Sequence, residues 1–135
     1  MFKLDTILLI DDDFITNYLH KKIISKSEID SSIEVANNGK EGIEKLWALN
    51  ETINDKNSLV LIFLDLNMPV MDGWGFLEVF EEIKSSLNFN TNLFILSSSI
   101  NPDDEAKAKN NRHVLDYFPK TLTVDRMIKL KANYI

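Results

Sequence analysis

LVLIFLDLNMPVMDGWGFLEVF, residues Leu59 to Phe80, is the stretch whose reading decides the fold. It opens with six consecutive apolar residues, Leu59 to Leu64, a run short enough for a strand buried on both faces and too short to cross a bilayer. The run stops at a charge, Asp65. Asn67, Pro69, Asp72 and Gly73 follow as a loop vocabulary, and Phe76, Leu77, Phe80 and Ile83 then recur at the spacing of an amphipathic helix that runs to about Ser86. Strand, loop and helix in that order place Asp65 at the carboxyl end of a strand. In open parallel α/β sheets this edge is where ligands bind, because the strand-to-helix loops there vary without disturbing the core. Taken alone, an Asp at a strand end is more simply a polar terminus.

The same unit recurs on both sides. Thr6 to Ile10 is a first strand, cut off by Asp11, Asp12 and Asp13, one of which could cap the helix that follows. From Phe14 the pattern turns helical, with Phe14 and Tyr18, Ile15 and Leu19, and Leu19 and Ile23 each four apart. Ser31 to Ala36 is a short second strand. Asn37, Asn38 and Gly39 turn the chain into a helix with Ile43, Leu46 and Trp47 on one face and Glu41 and Lys45 on its wet side. A polar run, Asn50 to Ser58, leads into the central strand. Asn92 to Leu96 is a fourth strand, ending in Ser97, Ser98 and Ser99.

Asn101, Pro102 and the acids Asp103, Asp104 and Glu105 form a strong helix start: a capping side chain, proline at the first helical position and negative charge in the first turn. That helix has almost nothing to bury beyond Ala106 and Ala108, so it is expected to be the most mobile of the five. His113 to Phe118 is a fifth strand, Pro119 and Lys120 follow, and Val124, Met127 and Ile128 mark a last helix. Five strands alternating with five helices through short connections predict an α/β domain, a parallel sheet wound on both faces.

Composition bounds what such a domain could do. The 135 residues are the length of one ordinary domain, and 44% apolar residues suffice for a core without staples. Residues 1–135 are expected to form that single domain, with no second domain. No cysteine is present, which excludes a disulfide or thiolate metal site and fits a reducing compartment. The start, MFKLDTILLI, lacks the pattern of a signal peptide, so a cytoplasmic location is the default expectation and no membrane partner is expected. A formal charge of −6 with no basic stripe argues against nucleic acid as a partner.

The strand ends carry the chemistry. Asp11, Asp12 and Asp13 end the first strand, Asp65 the third, Ser97 the fourth, and the fifth runs into Lys120. All must lie on one edge of a parallel sheet. Converging carboxylates repel by about 1 kcal/mol per pair at ~4 Å in water and about 4 kcal/mol at an effective dielectric of ~20. A bound cation would remove that cost, and an all-oxygen donor set without His or Cys suits Mg²⁺ or Mn²⁺ rather than zinc. Mg²⁺ prefers one or two carboxylates plus phosphate oxygens, so the edge would receive a phosphoryl group. Asp65 could be the nucleophile, Lys120 could pair with the added charge, and the Ser97 hydroxyl could hydrogen-bond a phosphoryl oxygen. His20 and His113 fall away from this edge and read as surface or structural residues, and Trp47 and Trp74 as core or loop packing.

The segments ILLIDDDFITNYL, LIFLDLNMPVMDGWGF, FILSSS and DYFPK resemble the receiver domain of two-component response regulators, in the family's order and over essentially the whole chain. The resemblance implies a flavodoxin-like (βα)5 fold with strand order 2-1-3-4-5, no output domain on this chain, and signalling rather than enzymatic turnover. Asp65 would be the phosphoacceptor, charged by a sensor histidine kinase or phosphotransfer protein. Asp11 and Asp12 match the acidic pair that holds the metal with Asp65, and the backbone carbonyl of Asn67 matches a further ligand. Ser97 looks like the switch hydroxyl, Ser98 like the neighbour whose N–H faces the phosphoryl group, Tyr117 like the aromatic that changes rotamer with Ser97, and Lys120 like the family's matching lysine. The face made by the fourth helix, fifth strand and fifth helix would meet a downstream protein target, and whether the chain forms a homodimer is left open. One departure stands out: the family usually has proline after the lysine, in a cis peptide, whereas here Thr121 follows and Pro119 precedes. Either a cis bond to threonine is borne or the loop takes another path.

Two rivals belong beside this reading. Asp11 and Asp13 after a strand, a later serine and a downstream lysine imitate a phosphatase of the haloacid dehalogenase type, but that family needs a longer chain and leaves Asp65 unexplained. A receiver-like adaptor that binds partners without phosphorylation is the other, kept open by the Lys120 to Thr121 step.

Overall fold

The computed structural model describes residues 2–135. Five strands, β1 (Lys3–Ile10), β2 (Ser32–Ala36), β3 (Ser58–Leu64), β4 (Asn90–Ser97) and β5 (Val114–Pro119), alternate with five helices. These are α1 (Phe14–Lys26), α2 (Gly39–Thr52), α3 (Gly73–Ile83), α4 (Pro102–Lys109) and α5 (Val124–Tyr134). The strands form one sheet in the order β2-β1-β3-β4-β5, every pair parallel. This is the expected doubly wound, flavodoxin-like α/β architecture.

β3 shows why its sequence reads as an unbroken apolar run: all seven residues are buried. Side chains alternate across a strand, so Val60, Ile62 and Leu64 enter one core and Leu59, Leu61 and Phe63 the other. The first core is closed by α2 and α3 through Ile43, Leu46, Phe76, Leu77 and Phe80, with Ala108 from α4. The second is closed by Ile24 of α1 and by Met127 and Leu130 of α5.

Several boundaries extend beyond the sequence reading. β1 starts at Lys3 and β4 at Asn90, because strand pairing with β3 continues outward past the apolar residues. α2 runs through Asn50 to Thr52, taking in part of the polar segment, and α3 stops at Ile83 before a single 3-10 turn, Lys84–Ser86. Across this end of the fold the Asn88 N–H donates to Asn50 Oδ1 and the Asn88 side-chain amide to the Asn50 carbonyl, which fixes the chain after that turn against α2.

One surface expectation is corrected: Trp47 is 41% exposed rather than packed in the core. Glu41 and Lys45 lie on the wet side as expected, where Lys45 pairs with Glu34 at 3.7 Å and Glu41 turns back to the Asn37 N–H. The larger surprise is α1. The helix forms where the spacing placed it, yet Phe14, Ile15, Tyr18 and Leu19 all face outward, Phe14 at 82% exposure, while Asn17, His20 and Ile24 face the sheet.

Candidate functional site

The carboxyl edge of the sheet gathers the predicted residues. Asp11 follows β1 and Asp65 follows β3; both are 5% exposed, and the Asp65 N–H donates to the Ile10 carbonyl at 2.9 Å, locking the two strand ends together. Asp12 is exposed beside them. Asp11, Asp12 and Asp65 each bring a carboxylate oxygen within 4.8 Å of the others. Lys120 reaches back from the end of β5, its Nζ lying 2.7 Å from an Asp11 oxygen and 3.3 Å from an Asp65 oxygen. Its backbone N–H is held by the Ser97 carbonyl at 3.0 Å.

The departure noted after Lys120 is resolved in favour of the first alternative: the Lys120–Thr121 peptide is cis. Lys120 occupies the acidic edge with threonine, not proline, behind it.

The surrounding chain explains why the acids sit still. Asp11 Oδ1 accepts the Asp13 N–H at 2.9 Å, and the Asn17 side-chain amide donates to the Asp11 carbonyl at 2.9 Å from inside α1. Asp13 is the residue that caps α1, accepting from the Ile15 N–H and the Thr16 hydroxyl at 3.0 and 2.9 Å. The Thr16 hydroxyl, then the Ile15 N–H, hold its carboxyl below the usual value. On the other side, Gly73 opens α3 against the loop itself: its N–H donates to the Leu66 carbonyl at 2.9 Å, and a Cβ there would stand 2.5 Å from the Asp65 carbonyl oxygen. The only residue type without that atom is the one present. Leu122, beyond Lys120, donates its N–H to Nε2 of the buried His20 at 3.2 Å, tying the lysine loop to α1.

Electrostatics at the edge are unbalanced. Burial, followed by the negative charge of Asp11, pushes the Asp65 carboxyl above its ordinary value, and Lys120 only partly opposes this. For Lys120, burial acts against the charged form, but its hydrogen bond to Asp11 and the charges of Asp11 and Asp65 outweigh it and raise its pKa. Three carboxylates face one ammonium. A hard divalent cation suits that excess and that donor chemistry, so Asp11, Asp12 and Asp65 fit Mg²⁺ or Mn²⁺. Burial also lowers the pKa of His20, with the Asp11 charge opposing. A neutral ring is what its role as acceptor for Leu122 requires.

The remaining predicted residues spread around this cluster. Ser97 is 1% exposed at the end of β4, and its Oγ accepts the Ser99 N–H at 3.0 Å. Ser98 is exposed, as is Asn67 in the β3–α3 loop. Tyr117 is half-buried on β5, and its hydroxyl donates to the Ser99 carbonyl at 3.4 Å. His113 lies away from the edge, paired with Glu81 of α3 and packed edge-on against Phe80. Trp74 carries Lys107 of α4 over its ring at 4.2 Å. Asn17, His20 and Gly73 support the site: the sequence reading does not single out Asn17 and takes Gly73 only as loop vocabulary, and His20, expected away from this edge, is instead a buried structural residue beside it. The signal for the first two was present, since an Asn and a His lie three apart in a helix whose opposite face is apolar, but only burial reveals that the polar face is the inner one.

A five-stranded flavodoxin-like sheet with an acidic pair, a central aspartate and a lysine on its carboxyl edge defines a class of α/β domain. Residues 7–131 match the response regulator receiver domain, so the chain belongs to that family, a family of signalling domains. Among solved structures, a two-component response regulator from Cytophaga hutchinsonii is 32% identical, with 96% of each chain covered and a TM-score of 0.79. One from Legionella pneumophila is 25% identical, again with 96% of each chain covered, at a TM-score of 0.74. The Mn²⁺-bound form of the response regulator Rcp1 shares the fold at 24% identity and a TM-score of 0.70, over 96% of this chain and 94% of that one. A search of curated proteins gives no match. Among the described residues no helix is long and apolar enough to cross a membrane.

Proposed function

We propose that Asp65 accepts a phosphoryl group, with Mg²⁺ or Mn²⁺ held by Asp11, Asp12, Asp65 and the Asn67 carbonyl, and that the α4-β5-α5 face reports the event to a downstream protein. The observation that carries this reading is the placement of Asp65: a buried carboxylate whose ionised form is disfavoured by burial and by Asp11, with Lys120 at 3.3 Å and two further acids around it. An Asp65 oxygen would attack phosphorus in line, the bond from phosphorus to the donor's histidine nitrogen would break, and that nitrogen would keep the electron pair and take up a proton. The metal supplies charge neutralisation at the phosphoryl oxygens when bound. Lys120 is positioned to exchange its contact with Asp65 for one with the new phosphoryl oxygen, and Ser97 and the Ser98 N–H to donate to the others. The Mn²⁺ form of Rcp1 and a CheX-CheY-BeF3-Mg²⁺ complex from Borrelia burgdorferi, 19% identical with a TM-score of 0.72 over 95% of this chain and 88% of that one, support the metal and the acceptor chemistry.

A protein donor fits the surface. Phe14, Ile15, Tyr18 and Leu19 present an apolar face on α1 directly after the acidic pair, where a sensor histidine kinase or phosphotransfer protein would have to approach to deliver its group. Asp13, whose carboxylate is committed to the α1 cap, is not free for the acid–base role that the haloacid dehalogenase reading needs.

The test is incubation with acetyl phosphate and Mg²⁺, read by intact mass. The wild type should gain one phosphoryl mass that is absent from Asp65→Asn and suppressed by a chelator. A protein that gains no mass and binds no beryllofluoride would leave the adaptor reading standing instead.

A further inference from the structure

β4 ends at Ser97 and two more serines follow it, and the fold gives each a different position: Ser97 buried, Ser98 exposed, Ser99 half-buried. Ser99 is the one that touches the most. Its N–H donates to Ser97 Oγ at 3.0 Å, its carbonyl accepts from the Tyr117 hydroxyl at 3.4 Å, and its own hydroxyl donates to the Asp104 carboxylate at 2.7 Å. That hydroxyl also accepts the Asn101 N–H at 3.2 Å, while the Asp104 N–H donates to the Asn101 carbonyl at 3.1 Å. One residue therefore joins the end of β4, the first turn of α4 and the side chain of β5.

The join matters because α4 has little else. Ala108 is its one buried residue, whereas α3 buries Phe76, Leu77 and Phe80 along with Gly73. With so little apolar area holding α4, polar contacts at its first turn carry an unusual share of its positioning. The hydrogen bond from the Ser99 hydroxyl to the Asp104 carboxylate is of the stronger, charge-assisted kind.

We propose that Ser99 and Asp104 are positioning residues that carry the state of the Ser97 hydroxyl to α4. This rests on the reading of Asp65 as phosphoacceptor. A Ser97 hydroxyl that donates to a group on Asp65 is drawn toward that group. The Ser99 N–H then either follows its acceptor, dragging residues 98–101, or loses it. In either case the hold on Ser99 relative to Asp104 changes, and a helix with one buried alanine has little packing to resist. Tyr117 receives the same shift by a separate branch, through the Ser99 carbonyl, so the two branches are separable by substitution.

Ser99→Ala keeps the N–H and the carbonyl and removes only the link to α4; Asp104→Ala removes it from the other side, and Asp104→Asn retains an acceptor. The experiment uses isotopically labelled protein saturated with beryllofluoride and Mg²⁺, occupancy being read from the fluorine signal. In the wild type, binding should move the amide resonances of residues 103–109 and the Tyr117 ring. Ser99→Ala and Asp104→Ala should each lose at least half of the α4 movement while keeping that of Tyr117, the double variant should lose no more than either alone, and Asp104→Asn should keep most of it. Wild-type α4 movement in Ser99→Ala, or additive losses in the double variant, would overturn the proposal. If the wild type binds no beryllofluoride, the phosphoacceptor reading fails, and amide exchange in the metal-free protein decides the positioning role. Exchange of residues 104–109 should quicken several-fold and equally in Ser99→Ala and Asp104→Ala but not in Asp104→Asn, and equal exchange in all four proteins would overturn it.

Discussion

α3 and α4 follow neighbouring strands of one sheet, and both begin at the edge that holds Asp65, yet they are attached by different physics. α3 is fixed twice: by aromatic burial, with Phe76 and Phe80 stacked at 5.7 Å, and by Gly73 lying directly on the Asp65 backbone. α4 is a charged eight-residue helix with one buried alanine, an asparagine cap and a hydrogen bond from Ser99. Beyond these, Lys107 stands over the half-buried Trp74 ring, Lys109 pairs with Glu105 within α4 itself, and Arg112, just past the helix, pairs with Glu81 of α3; exposed ion pairs of this kind are of small worth in water. The difference teaches how an edge can be both accurate and responsive. The half that holds the acceptor is set by close packing, which has no cheap alternative arrangement. The half that reports is set by polar contacts, which can be exchanged.

The sharpest way to break this comparison is to treat α3 as if it were α4. Phe80→Ala should cost about 3 to 5 kcal/mol of unfolding free energy, as for other buried aromatics, measured by urea denaturation. Gly73→Ala comes next, with about 1 to 3 kcal/mol lost to overpacking and at least a tenfold slower phosphorylation by acetyl phosphate, because the added Cβ displaces the Asp65 carbonyl. A Gly73→Ala protein that is phosphorylated at the wild-type rate would show that the acceptor half is not held by this contact.

Charge sharpens the same contrast. The folded state raises the Asp65 pKa above 3.8, so the ionised carboxylate is disfavoured there, and the stability this site contributes falls as pH rises through the folded value. Near neutral pH, without metal, Asp65→Asn should therefore melt several degrees higher than the wild type, Lys120 keeping its 2.7 Å contact with Asp11. Mg²⁺ should stabilise the wild type more than the variant and narrow the gap. A lower melting temperature for metal-free Asp65→Asn would mean that the ion pair with Lys120 outweighs repulsion.

His20 gives a smaller effect of the opposite sign in pH. Its folded pKa lies below 6.5, so the unfolded chain binds the proton first and stability should fall as pH drops below about 6.5. His20→Gln should flatten that slope, as seen in melting curves between pH 7 and about 5. The smallest effect belongs to α4. Ala106→Gly, at an exposed helix position, should cost no more than about 1 kcal/mol and leave phosphorylation unchanged, while amide exchange across residues 103–109 is faster than across α3. Equal protection of the two helices would erase the comparison.

The sequence by itself determined the order of elements, because an apolar run closed by acid and followed by a helical period leaves a parallel α/β sheet as its economical arrangement. It also placed Asp11, Asp12, Asp65, Ser97 and Lys120 on one edge, since strand ends in a parallel sheet share a side. What only the tertiary structure decided was facing and contact. Apolar spacing in α1 marked a helix but not its inner face, and the fold turns Phe14 and Tyr18 outward while burying Asn17 and His20, whose partners, the Asp11 carbonyl and the Leu122 N–H, lie 6 and 102 residues away in the chain. Likewise nothing in three adjacent serines distinguishes Ser99. Its role comes from Asp104 and Tyr117 being brought to it from α4 and β5, and such meetings depend on how layers pack rather than on any local pattern.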